Sequence, residues 1–79
     1  MRLPRDLGGQ ELIRCLCRNW AYERVGQVGS HVTLVTDSPS HQRIVIPAHK
    51  ALRVGTLSAI LRSVAKHKAV SKKEILRSL

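Results

Sequence analysis

The sequence predicts an α+β fold: a helix, a three-stranded antiparallel sheet, a second helix and a short third one. Three observations predict it. Apolar residues recur at helical spacing in two places, around Leu12–Leu16 and at Leu57, Ile60, Leu61 and Val64. Between them, residues 31–36 are rich in β-branched types and alternate in polarity, as a half-buried strand does. The 79 residues suffice for one domain spanning 1–79 and are too few for a large cofactor fold. Apolar residues make up 43% of the chain, near the globular norm, so disorder throughout is not expected. A chain of this length buries only about 60% of its unfolded surface, so the core must be small.

The first helix is read over residues 10–20. Leu12, Ile13, Leu16, Cys17 and Trp20 mark its apolar face, with Arg14 and Arg18 away from it. The Gly8-Gly9 pair before it is expected to loosen the chain. Residues 21–25 form a short strand candidate, and Gly26 and Gly29 bracket a turn. The second strand covers 31–36. A register with Val32 and Leu34 facing the helices buries two large residues, whereas the opposite one buries only Val35, so the first is favoured. Asp37-Ser38-Pro39-Ser40 is a turn cluster. The third strand covers 42–46 and is limited by Pro47. Residues 48–55 form a loop with His49, Lys50 and Arg53. Thr56 is the expected N-cap of the second helix, which runs to about His67. Ser71 followed three residues on by Glu74 is a capping-box pattern that opens the last helix.

Helices on one face of such a sheet leave the other open. The favoured register puts His31 and Thr33 on that open face.

Fourteen Lys and Arg residues stand against five acidic ones, a formal net charge of +9. Such an excess attracts polyanions, nucleic acid first, then acidic proteins or an anionic membrane surface. The cations are spread along the chain and form no polybasic tail. Trp20 and Tyr22 are the only aromatic residues, so the chain lacks the row of rings on which sheet-platform RNA modules stack bases. Any RNA would be held through phosphates, 2′-hydroxyls and shape. Cys15 and Cys17 do not face each other on a helix and lack zinc-type spacing, which fits reduced thiols and a cytoplasmic location. The segment Met1–Asp6 has no apolar signal-peptide core, and no apolar run approaches a membrane span. The four histidines show no metal-ligand spacing; no metal and no cofactor are expected.

Two constellations carry potential chemistry. Gly29-Ser30-His31 places a histidine at a strand entry. Histidine titrates near neutrality and is the usual proton carrier in RNA cleavage without metal, as base or as acid. Gly29 permits close approach of a phosphate to the backbone. Alone, the triplet also fits an ordinary exposed histidine. His49, Lys50 and Arg53 precede a helix N-terminus, where free N–H groups attract anions. They equally fit an ordinary basic loop, and whether His49 is catalytic, phosphate-binding or structural stays open.

The chain resembles the HicA-type toxins, small ribonucleases of HicA–HicB toxin–antitoxin pairs. Three segments carry the resemblance in order: Leu3-Pro4 with Gly9-Gln10-Glu11-Leu12-Ile13; Gly29-Ser30-His31; and Ile46-Pro47-Ala48-His49-Lys50 with Gly55-Thr56-Leu57 and Ile60-Leu61-Arg62. The resemblance implies a fold like a double-stranded RNA-binding domain, endonucleolytic cleavage of messenger RNA with His31 as the catalytic residue, and a HicB-like antitoxin partner. The chain keeps Gln27 but carries Gly26 and Val28 where relatives often have basic residues. Arg24 and Arg43 are the candidates to replace them, beside Gly29, Ser30, Lys50 and Arg53, in gripping phosphate. The alternatives are a non-catalytic RNA-binding module of the same fold and an interaction protein serving an acidic partner. The first would bind RNA and never cut it; the second would bind its partner and no RNA.

Overall fold

The computed structural model describes residues 3–79. Met1 and Arg2, which open the segment read as lacking a signal-peptide core, lie outside the described residues. The order is α1 (Gly9–Asn19), β1 (Glu23–Val28), β2 (His31–Thr36), β3 (Gln42–Pro47), α2 (Val54–Lys68) and α3 (Lys72–Arg77). The strands form one antiparallel sheet in the order β1-β2-β3, so the predicted α+β layout stands.

The favoured register is the observed one. Val32 and Leu34 are fully buried and meet Leu12 and Leu16 of α1 and Leu57, Leu61 and Val64 of α2 in a single core cluster. Ile46 joins them from β3 and Ile75 from α3. Pairing of His31 with Val28 and Pro47, and of Thr33 with Gly26 and Val45, sets all of these on the opposite, open face.

Several boundaries differ from expectation for local reasons. Ala21 takes a left-handed φ of 60° where the chain leaves α1, so β1 begins two residues later than read and runs on to Val28. Gly26 therefore pairs inside the strand, next to a bulge at Val25, and the turn is only Gly29-Ser30. Pro47 belongs to β3, an edge strand, where a missing N–H is tolerated. Thr56 is not the N-cap. Leu52 is buried and its N–H donates to the Leu7 carbonyl at 2.8 Å, so the chain turns early and α2 starts from Arg53. Ser71 does cap α3, its Oγ accepting from the Glu74 N–H at 3.1 Å.

The Gly8-Gly9 pair does not loosen the chain; both residues are buried. A Cβ on Gly8 would stand 2.8 Å from the Lys50 carbonyl oxygen. The Gly9 N–H donates to the His49 carbonyl at 2.9 Å. The pair lets the start of α1 press against the loop after β3.

Candidate active site

The hairpin that presents His31 is the tightest turn of the sheet. Gly29 has φ +58°, which glycine adopts without strain and which a two-residue hairpin needs. A Cβ there would meet nothing within 4 Å, so conformation and not crowding demands glycine, and the turn is open to a ligand. His31 opens β2 and is exposed.

The loop after β3 folds back beside this turn. The Ala48 N–H donates to the Ser30 carbonyl at 2.6 Å. Ser30 Oγ lies 3.3 Å from His49 Nε2, with the donor set by the imidazole tautomer. His49 and Lys50 are exposed, as is Arg53 at the start of α2. The α1 start holds the loop from behind through the glycine contacts above. One corner of the molecule thus gathers Gly29, Ser30, His31, His49 and Lys50, with Arg53 a few residues along.

Arg24 reaches the same corner indirectly. Its guanidinium donates to Gln27 Oε1, and Gln27 Nε2 donates to the Gly29 carbonyl at 2.9 Å. Arg24 pairs with Leu34 and so leaves β1 on the helix side, near Cys17. There burial pushes the Cys17 thiol up, opposed by the adjacent Arg24 and reinforced by Glu23. Arg43 is not brought to the corner. It shares the open face with His31, but it pairs with Val35 while His31 pairs with Pro47, about 13 Å away along the strand.

The other two histidines serve structure at the far end of the sheet. His41 Nδ1 lies 2.9 Å from Asp37 Oδ1, and His67 Nε2–H donates to the Ser40 carbonyl at 2.8 Å. Among the described residues no lysine or arginine pairs with a carboxylate. No three His, Cys, Asp or Glu side chains among the described residues converge as metal ligands. Clefts lie between α1 and Ser78-Leu79, around Gln42 and Ser63, and between α1 and Arg24.

Sequence reasoning missed the Ser30–His49 contact and the role of the glycine pair. The signal for the second was the Gly8-Gly9 doublet itself, since adjacent glycines mark close backbone approach as well as looseness.

A helix, an antiparallel meander and two helices, with an exposed histidine at a glycine turn, define a small α+β protein of net positive charge. The family model described as the HicA toxin of bacterial toxin–antitoxin systems matches residues 9–65, from the first residue of α1 to Ala65 of α2. The chain belongs to that family of toxins. No curated protein and no solved structure matches it. The family implies an antitoxin as partner. No described helix is long and apolar enough to cross a membrane.

Proposed function

We propose that this toxin is an endoribonuclease that cleaves messenger RNA in the cytoplasm without a metal, with His31 as a proton-transfer residue. The observation that carries the reading is His31 itself, exposed at an open glycine turn within the family-matched segment. The reaction is a transesterification. The 2′-oxygen of the RNA bonds to the adjacent phosphorus as its proton leaves to a base. The bond from phosphorus to the 5′-oxygen breaks as that oxygen takes a proton. The products are a 2′,3′-cyclic phosphate and a 5′-hydroxyl. In this reading Lys50 and Arg53, with Arg24 behind Gln27, hold phosphates and balance charge on the phosphorane.

The antitoxin, HicB-like in this reading, silences the toxin by covering the face that bears His31. That face offers apolar contacts, with Val28 83% and Val45 40% exposed, and Val25 of the bulge is 54% exposed. A partner combining apolar contacts there with acidic groups over Lys50 and Arg53 would complement it.

The test is incubation of purified wild-type and His31→Ala protein with RNA in EDTA, with mapping of the ends. Wild type should cut and leave cyclic phosphate ends. His31→Ala should fold normally and cut roughly 100- to 10,000-fold more slowly. Loss of cutting in EDTA removes the metal-free mechanism, and full activity in His31→Ala removes His31. A wild-type protein that binds RNA and never cuts is the non-catalytic module.

A further inference from the structure

We propose that His49 is the second proton-transfer residue of the site, so that two histidines divide the work of one step. The inference rests on the ribonuclease reading above. Transesterification needs a proton removed from the 2′-oxygen and a proton given to the departing 5′-oxygen. One imidazole cannot be both unprotonated base and protonated acid in the same step. A second group is therefore sought at the His31 corner.

Four observations select His49. Ser30 immediately precedes His31, and its Oγ lies 3.3 Å from His49 Nε2. Chain geometry then puts that nitrogen within roughly 10 Å of the His31 Cα, a span that a phosphate and the His31 side chain can fill. The His49 backbone is fixed on both sides: its carbonyl accepts from the Gly9 N–H, and its neighbour Ala48 donates to the Ser30 carbonyl. The His49 ring is nevertheless exposed, so RNA can reach it. The remaining histidines are far off and engaged, His41 with Asp37 and His67 with Ser40.

In this arrangement one imidazole takes the 2′-hydroxyl proton and the other donates to the 5′-oxygen, from opposite sides of the phosphate. Ser30 is a positioning residue: its hydroxyl holds the His49 ring beside the turn. No external reactant is required, since the proton gained by one ring equals that lost by the other.

The experiment compares ordinary RNA with RNA whose scissile 5′-bridging oxygen is replaced by sulfur. A thiolate leaves without protonation, so the sulfur substrate dispenses with the acid and still needs the base. His31→Ala and His49→Ala should each slow cleavage of ordinary RNA roughly 100- to 10,000-fold. The sulfur substrate should restore one of the two variants to near wild-type rate and leave the other slow, which names the acid and the base. His49→Gln, which keeps a polar group near Ser30, should be as slow as His49→Ala on ordinary RNA. Wild-type rates in either His49 variant overturn the proposal. So does restoration of both single variants, or of neither. If wild type cuts neither substrate, the ribonuclease reading itself fails, a result distinct from all of these.

Discussion

A Cβ placed on Gly9 would stand 1.9 Å from the carbonyl oxygen of Pro47, which is closer than any side chain can come. The first residue of α1 is thereby pressed onto the end of β3, two residues before His49. The contact is backbone against backbone, so no rotamer change can relieve it.

Gly9→Ala should therefore destabilise the protein by about 1–3 kcal/mol, the usual cost of forced overpacking. It should also slow RNA cleavage, because the loop carrying His49 and Lys50 must move. Gly26→Ala is the control: its Cβ meets nothing within 4 Å and its φ is not left-handed. That change should stay within about 0.5 kcal/mol of wild type. Denaturant unfolding of the two variants decides the matter; equal midpoints would show that the α1–loop contact has slack.

Tyr22 gives an alkaline signature. Its ring is buried beneath the Lys68 ammonium, 4.7 Å from the ring centroid, and its hydroxyl donates to Gln42 Oε1. Burial pushes its pKa up to about 12 from an ordinary value near 10. The folded state thus holds the phenol proton more tightly than the unfolded chain does. The stability this contributes is complete below pH ~10 and is lost as pH rises toward 12, at most about 2–3 kcal/mol. Burial lowers the Lys68 pKa. Its sign is opposite: the folded state sheds that proton first, so stability is regained as pH rises through the lowered value. Tyr22 is the single tyrosine, so tyrosinate absorbance reads it alone. Titration near 12 coupled to unfolding is expected, and Tyr22→Phe should remove the steep loss; a midpoint near 10 in folded protein would contradict this.

The sheet, its register and the apolar faces of both long helices were legible because one physical rule governs them. Val32 and Leu34 had to face inward as a pair, and Leu57 to Val64 repeat on one helical stripe. The α2 start was misread because Thr56 has good capping chemistry, while the tertiary hydrogen bond from Leu52 to Leu7 fixes the turn earlier. At the candidate site, the exposure of His31 at the start of β2 was legible from its glycine-marked position. The Ser30–His49 contact was not, since it joins residues 19 apart through a loop whose path depends on the packing of α1. Arg43 shows the limit of face-level reasoning: alternation gives its face correctly and says nothing of its distance from His31.

Ser78 ties the end of α3 to the end of α1. Ser78 Oγ donates to the Ile75 carbonyl at 2.6 Å and accepts from Trp20 Nε1–H at 2.8 Å, with Cys15 Sγ 3.1 Å away. Asn19 Nδ2 also donates to the Ser78 carbonyl at 3.0 Å. Ser78→Ala leaves the indole N–H without its partner and should cost about 1–3 kcal/mol. Trp20 is the only tryptophan, so its fluorescence reports the change directly. A red shift with lowered stability is expected; an unchanged spectrum would mean that α3 is not held through this contact.

Phosphate contacts at the His31 corner should be visible in the salt dependence of RNA binding. Each phosphate neutralised by the protein releases counterions, so the logarithm of the affinity falls with the logarithm of salt in proportion to their number. Lys50 of the loop after β3 and Arg53 at the start of α2 are exposed and, among the described residues, no acid pairs with either. Lys50→Ala and Arg53→Ala should each weaken binding and reduce the slope by about one phosphate contact. Measured in a His31→Ala background, binding is separated from cutting. Arg43→Ala should slow cleavage less than either change when tested with His31 intact, because Arg43 lies about 13 Å along the strand from Pro47, the partner of His31. If Arg43 matters more than Lys50 and Arg53 in both measurements, RNA runs across the open sheet face instead of over the loop between β3 and α2.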